Sequence, residues 1–161
     1  VSGADPLAEG TPAPPFELTA DDGRTVRLED LRGRWVILYF YPRAMTPGCT
    51  TEACGFRDTG AELRDLGAEV VGVSPDPPER LARFRERHGL DFVLLADPEH
   101  RVAEAYGVWG PKKFMGRERE GVHRTTFLID PEGRVARVWR RVRVQDHAAE
   151  VAAALRQLAG R

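Results

Sequence analysis

The chain's two cysteines, Cys49 and Cys54, lie five residues apart in a single run, YFYPRAMTPGCTTEACGFRD at residues 39–58. An apolar stretch leads into a Pro/Gly turn, and helical composition opens after Pro47. Cys49 therefore falls where the first amides of a helix lack intrahelical partners. Such amides, at the positive end of the helix dipole, favour the thiolate, which is the nucleophilic form of cysteine. An ordinary cysteine is about 3% thiolate at neutral pH, so complete ionisation raises a rate by at most about 30-fold. Faster chemistry needs groups that stabilise the transition state itself.

The bland reading of two such residues is a pair of inert buried thiols, since free cysteine packs as a small hydrophobe. Zinc fits poorly, because two cysteines without a histidine nearby in sequence do not fill its ligand set. Two cysteines are also too few for a secreted disulfide scaffold, and their close spacing favours redox or catalytic use.

The 161 residues match one domain, spanning 1–161, with no internal repeat or linker. Hydrophobic residues make up 42% and charged residues 30%, and the longest apolar run, 35–41, is far too short to span a bilayer. The formal net charge is −1, with basic residues spread along the chain. That leaves no footprint for nucleic acid or an anionic membrane, and a small, near-neutral substrate fits better. Lys112 and Lys113 are the only lysines among the 24 basic residues, a bias we read as codon usage. The expected compartment is the cytoplasm. The chain starts at Val1, and a targeting segment removed before it would leave no trace.

These thiols need a scaffold, and its elements can be read along the chain. Residues 1–15, rich in proline and small residues, form an extended arm. Residues 16–19 and 25–28 alternate around Asp21-Asp22-Gly23-Arg24 and predict an N-terminal β-hairpin, followed by a helical turn at 29–31. Residues 35–41 are β-branched and aromatic without interruption, as in a central strand covered on both faces. A helix follows from Pro47 to about Leu66, with Phe56, Leu63 and Leu66 facing inward. Strands at 68–74 and 92–96 alternate with helices at 78–88 and 98–106. Residues 107–120 read as polar and irregular, with Trp109, Phe114 and Met115 as packing anchors. Strands at 125–130 and 134–140 flank the turn Pro131-Glu132-Gly133, and a helix at 147–158 closes the chain. The expectation is an α/β fold with a central mixed β-sheet flanked by helices.

Pro42, Thr46 and Cys49 are spaced Pro-x-x-x-Thr-x-x-Cys, which resembles the signature of the peroxiredoxins. The longer match Thr-Pro-Gly-Cys-Thr-x-Glu-Ala-Cys-x-Phe-Arg-Asp resembles the Q-type members, also called bacterioferritin comigratory proteins. So do the segments KKFMG at 112–116 and HRTTFLID at 123–130. The similarity runs from about Pro14 to the final helix. Arg43-Ala44 stands where Lys-Asp is more usual, and the arm before Thr11 has no clear counterpart. Neither departure touches the reacting groups.

The resemblance implies a thioredoxin-like fold and a peroxidase acting on hydrogen peroxide and organic hydroperoxides, without metal, haem or flavin. In that scheme Cys49 is the peroxidatic nucleophile and becomes a sulfenic acid, and Cys54 is the resolving thiol that closes a Cys49–Cys54 disulfide. Pro42 shields the thiolate. The Thr46 hydroxyl and the backbone amide of Gly48 or Cys49 share the charge that develops on the peroxide oxygens. Arg124 holds thiolate and peroxide with a planar fork that lysine lacks. A thioredoxin-type dithiol recycles the enzyme. Because both thiols lie in one helix, a monomer suffices.

Residues five apart in an unbroken helix are separated by about 7.5 Å of rise and point roughly 140° apart. A disulfide requires Cα atoms about 4.4–6.8 Å apart. If Cys54 is helical in the reduced form, the helix must unwind between the two thiols at each turnover. Rival functions are a thiol-disulfide oxidoreductase, which would favour Cys-x-x-Cys, and a redox sensor or holdase. Glu52 reads equally as an arginine-orienting group and as a first-turn acid on the helix dipole, and stays outside the catalytic set. Thr46 reads additionally as a helix cap. His88, His100, His123 and His147 read as surface or capping residues.

Overall fold

The computed structural model describes residues 7–159, the side chain of Phe114 apart. Seven strands form one mixed sheet in the order β2-β1-β5-β4-β3-β8-β9. They are β1 (Glu17–Ala20), β2 (Thr25–Arg27), β3 (Trp35–Phe40), β4 (Ala68–Ser74), β5 (Val93–Ala96), β8 (Thr125–Ile129) and β9 (Val135–Trp139). The central strands β3, β4 and β5 run parallel, and the outer ones pair antiparallel. The α/β expectation holds, hairpin included.

Strand β3 shows why its sequence is apolar throughout. Successive side chains of a strand point to opposite faces. Ile37, Tyr39 and Tyr41 join a core with Phe56 and Leu63 of α1 (Pro47–Asp65), Phe84 of α2 (Pro78–His88) and Leu155 of α4 (His147–Ala159). Val36, Leu38 and Phe40 join the other core with Tyr106, Phe127 and Val102 of α3 (Arg101–Ala105). Both faces are covered, as a parallel sheet requires. Among the described residues no helix is long and apolar enough to cross a membrane.

Helix α1 starts with Pro at its first position, where the missing N–H costs nothing, and stops before Gly67, whose φ of 83° only glycine adopts freely. Gly48, Gly55 and Gly60 lie within it, and an interior glycine weakens a helix by roughly 0.5–1 kcal/mol relative to alanine. Packing holds it instead. Phe56 and Leu63 are fully buried, each contributing about 2 kcal/mol through apolar burial, so Phe56→Ala would strip the largest single support of its middle. Its N-terminal half is thus made of weak helix formers carrying the two thiols.

Three expectations need correction. Residues 107–120 are not irregular: β6 (Trp109–Phe114) and β7 (Arg117–Val122) form a separate two-stranded hairpin. Its turn is Met115-Gly116 with φ of 52° and 78°, the left-handed pair that a two-residue hairpin needs, here with an unusual methionine. Met115 is 86% exposed and anchors nothing, whereas Trp109 stacks on His100 with ring centroids 3.8 Å apart. The Phe114 anchor lies outside the described side chains.

His147 is fully buried rather than superficial. Its ring meets Phe56 and Trp139 edge-on, and Nε2 lies 2.7 Å from the Thr126 hydroxyl. Burial lowers its pKa, with Glu150 opposing. Helix α3 starts at Arg101, not Pro98, because the Asp97 carboxylate accepts the amides of Val102 and Ala103 and fixes the helix start there.

The first six residues of the arm lie outside the described set. The part that follows runs along the edge of β9, where Gly10 donates to the Val135 carbonyl and Val135 to that of Thr11.

Candidate active site

The site forms where β3 delivers the chain to α1. Thr46, the residue before the helix, is extended (φ −83°, ψ 156°), and its carbonyl accepts the first helical bond, from Thr50. Its side chain does not cap the helix, contrary to expectation, because the hydroxyl donates to the Arg43 carbonyl at 2.8 Å. With its single proton so placed, the Thr46 oxygen has lone pairs to offer a ligand. Helix geometry leaves the amides of Gly48 and Cys49 without intrahelical partners.

Cys49 is 1% exposed and belongs to the core that contains Tyr39 and Tyr41. Arg124 reaches it from the short link between β7 and β8. That link is fixed on both sides of Arg124: the His123 amide donates to Val108, and the Thr125 hydroxyl donates to the His123 carbonyl. One amino group of Arg124 donates to Cys49 Sγ at 3.2 Å and the other to Glu52 Oε1 at 2.5 Å. A single planar guanidinium therefore bridges a thiol and a carboxylate three residues apart on one helix face, a geometry that a lysine cannot copy.

Glu52 is the residue that sequence reasoning set aside. It is 1% exposed and lies on the inner face, beyond the first turn, so the reading as an acid on the helix dipole fails. Its place three residues after Cys49, next to the buried Ala53, was the available signal. Burial pushes its carboxyl up to about 7, against the opposing pull of Arg124. Burial also opposes the charge on Arg124, but Glu52 and Cys49 together hold the guanidinium above its ordinary value. The phenols of Tyr39 and Tyr41 are raised chiefly by burial and stay neutral.

A second cation stands beside the site. Lys112 on β6 is half-buried, and its Nζ donates to the Val122 carbonyl at 2.8 Å. Its stem passes over Gly121, where an added Cβ would meet Lys112 Cδ at 3.0 Å. Burial, then Arg124, lowers its pKa, while Cys49 opposes. Lys112, Lys113, Trp109, Val122 and Pro42 share a hollow of about 370 Å³. The hairpin that looked irregular in sequence thus forms one wall beside Pro42.

The structure therefore brings Cys49, Arg124 and Glu52 into contact, with Gly48 against Arg124. Cys54 is half-buried, and α1 runs unbroken through both thiols, which are free. Helix geometry turns Cys54 roughly 140° away from Cys49.

Comparison with known proteins finds relatives over most of the chain. The sequence profile of the AhpC/TSA family matches residues 10–138. Peroxiredoxin Bcp of Bacillus subtilis (strain 168) is 51% identical over 149 residues, which cover 92% of this chain and 95% of that protein. Peroxiredoxin Bcp of Escherichia coli (strain K12) is 49% identical over 142 residues, 88% of this chain and 91% of that one. Among solved structures, the bacterioferritin comigratory protein of Xanthomonas campestris, studied for alkyl peroxide reduction, is similar with a TM-score of 0.85. It shows 36% identity over 89% of this chain and 92% of its own.

Proposed function

We propose a mechanism for a chain that belongs to the AhpC/TSA family and, within it, to the Q-type peroxiredoxins: Cys49 is the peroxidatic thiol, Cys54 resolves it, and Arg124 anchors the reacting charge. The enzyme is a peroxidase of thioredoxin-like fold, and its chemistry needs a peroxide and a reductant. The observation that carries the mechanism is the Arg124 guanidinium shared between Cys49 Sγ and Glu52.

In the first step the Cys49 thiolate attacks the terminal oxygen of the hydroperoxide. The S–O bond forms as the O–O bond breaks, sulfur is oxidised to the sulfenic acid, and the departing oxygen takes a proton to leave as alcohol or water. Negative charge moves from sulfur onto the oxygen pair during this step. Arg124 and the amides of Gly48 and Cys49 can follow it, while the Thr46 oxygen accepts a hydrogen bond from the peroxide O–H, whose hydrogen stays with the sulfenic acid. Pro42 excludes water from one side. An alkyl hydroperoxide fits this scheme as well as hydrogen peroxide, since Pro42 and Trp109 line a hollow beside the site.

In the second step Cys54 attacks the sulfenic sulfur, water leaves, and a Cys49–Cys54 disulfide results. The five-residue offset requires the glycine-weakened half of α1 to unwind for this. A thioredoxin-type dithiol then reduces the exposed disulfide. The cycle needs no second subunit, in keeping with a monomer, and a reducing compartment such as the cytoplasm keeps it running. The test is peroxide consumption coupled to reduced thioredoxin, with mass mapping of the oxidised chain. Catalytic consumption and a 49–54 linkage are expected, and a chain oxidised only once would instead fit a sensor.

A further inference from the structure

The loop that carries Pro42 and Thr46 contains a residue in an unfavourable backbone conformation. Met45 has a φ of 73°, in the left-handed region that side chains other than glycine rarely adopt. Such a conformation persists only where neighbouring structure fixes it. Here the fixing groups are side chains from another part of the fold. The Ala44 amide donates to Asp76 Oδ2 at 2.7 Å, and Arg80 donates to the Ala44 carbonyl at 2.8 Å. Both polar groups of one residue are thus taken by side chains, and Ala44 is fully buried, so water cannot replace either bond.

The clamp is itself built. Asp76 lies between β4 and α2, is 8% exposed, and accepts a second bond from the Ser74 hydroxyl at 2.8 Å. Arg80, in the first turn of α2, pairs with it at 3.1 Å through Nε, whose N–H is not aligned as a hydrogen bond, so its aligned bond is the one to Ala44. The order of constraint is then Asp76 and Arg80, the Ala44 peptide, Met45, and Thr46 with its hydroxyl turned to the Arg43 carbonyl.

We infer that Asp76 and Arg80 are positioning residues for peroxide reduction: acting through the backbone of Ala44, they set the Thr46 oxygen against the peroxide. This rests on the reading of Cys49 as the peroxidatic thiol. Neither residue touches the reacting atoms. Arg124 reaches Cys49 from the opposite wall and does not depend on the clamp, so the two sides of the site are separable.

That separability defines the experiment. Two rates are measured on the chain with Asp76→Ala, which removes the acceptor of the Ala44 amide, and with Arg80→Gln, at a residue that reaches solvent. One is oxidation of Cys49 by hydrogen peroxide, and the other is its alkylation by iodoacetamide, which needs the thiolate but no aligned peroxide. A misplaced reacting group costs about 10- to 100-fold. The peroxide rate should fall by that factor while alkylation and its pH profile change less than about twofold. Arg80→Lys, which keeps one donor for Ala44, should recover part of the loss. If both rates fall in proportion, if the peroxide rate holds, or if Arg80→Lys is no faster than Arg80→Gln, the assignment is overturned. Peroxide consumption that survives Cys49→Ser sinks the underlying reading instead.

Discussion

Gly48 and Arg124 are packed so closely that a Cβ added to Gly48 would lie 3.3 Å from Arg124 Nη2, the amino group that donates to Cys49. That approach is tighter than side chains usually make. The guanidinium would have to give by a few tenths of an ångström while held by both the sulfur and Glu52. Gly48→Ala should therefore fold, since alanine suits a helix, yet lose about tenfold in the rate of Cys49 oxidation. Stopped-flow oxidation of the variant decides this, and an unchanged rate would show that Arg124 has slack.

Arg124→Lys tests the fork itself. A lysine brings one charge but cannot donate in one plane to both Cys49 and Glu52. Loss of a preorganised donor to developing charge costs on the order of 100-fold or more in rate. The expected result is a drop of that size in peroxide reactivity with Cys54 chemistry intact, measured as sulfenic acid formation against time.

Glu52 makes stability depend on pH. Its carboxyl titrates near 7 in the folded chain against an ordinary value of 4.5. Between those limits the folded state binds the additional proton, so raising the pH through this window favours the unfolded chain. The contribution is present in full below about pH 4.5 and is lost as pH passes 7, at most about 3 kcal/mol. Glu52→Gln imitates the protonated form and should flatten the dependence. Urea unfolding at pH 5 and pH 8 provides the comparison, and equal slopes in both chains would remove Glu52 as the cause.

Gly55 tests the unwinding. A Cβ there would meet Ala148 Cβ at 3.4 Å, an ordinary contact, and the residue has a helical backbone. Gly55→Ala should stabilise α1 by roughly 0.5–1 kcal/mol. Since each 1.4 kcal/mol is tenfold in rate, disulfide closure should slow by about two- to fivefold while Cys49 oxidation stays unchanged. Amide exchange through residues 49–55 should rise in the disulfide form, and a helix still protected there would refute the motion.

The legible part of this molecule was the part where sequence pattern and chemistry coincide. Continuous apolar residues in β3, a proline at the start of α1 and two closely spaced cysteines each have local causes. What escaped depends on contacts between distant segments. The hairpin of β6 and β7 has no apolar alternation, with Arg117, Glu118, Arg119 and Glu120 in sequence, and its turn uses a methionine where glycine or asparagine is usual. His147 looks like a polar helix start until Phe56 and Trp139 close around it. Glu52 needed the three-residue offset from Cys49 to be weighed against the ordinary habit of acids near a helix start. Thr46 reads as a helix cap in sequence, but the direction of its hydroxyl is set by the Arg43 carbonyl.

Lys112 and Lys113 stand together on β6 beside the hollow that includes Pro42, and the chain has no other lysine. Every side-chain amine of the protein is thus at one place. Coupling the enzyme to an activated surface through those amines would turn this hollow toward the support. A dye attached there, preferentially on the exposed Lys113, would sit at the rim of that hollow and report on what fills it.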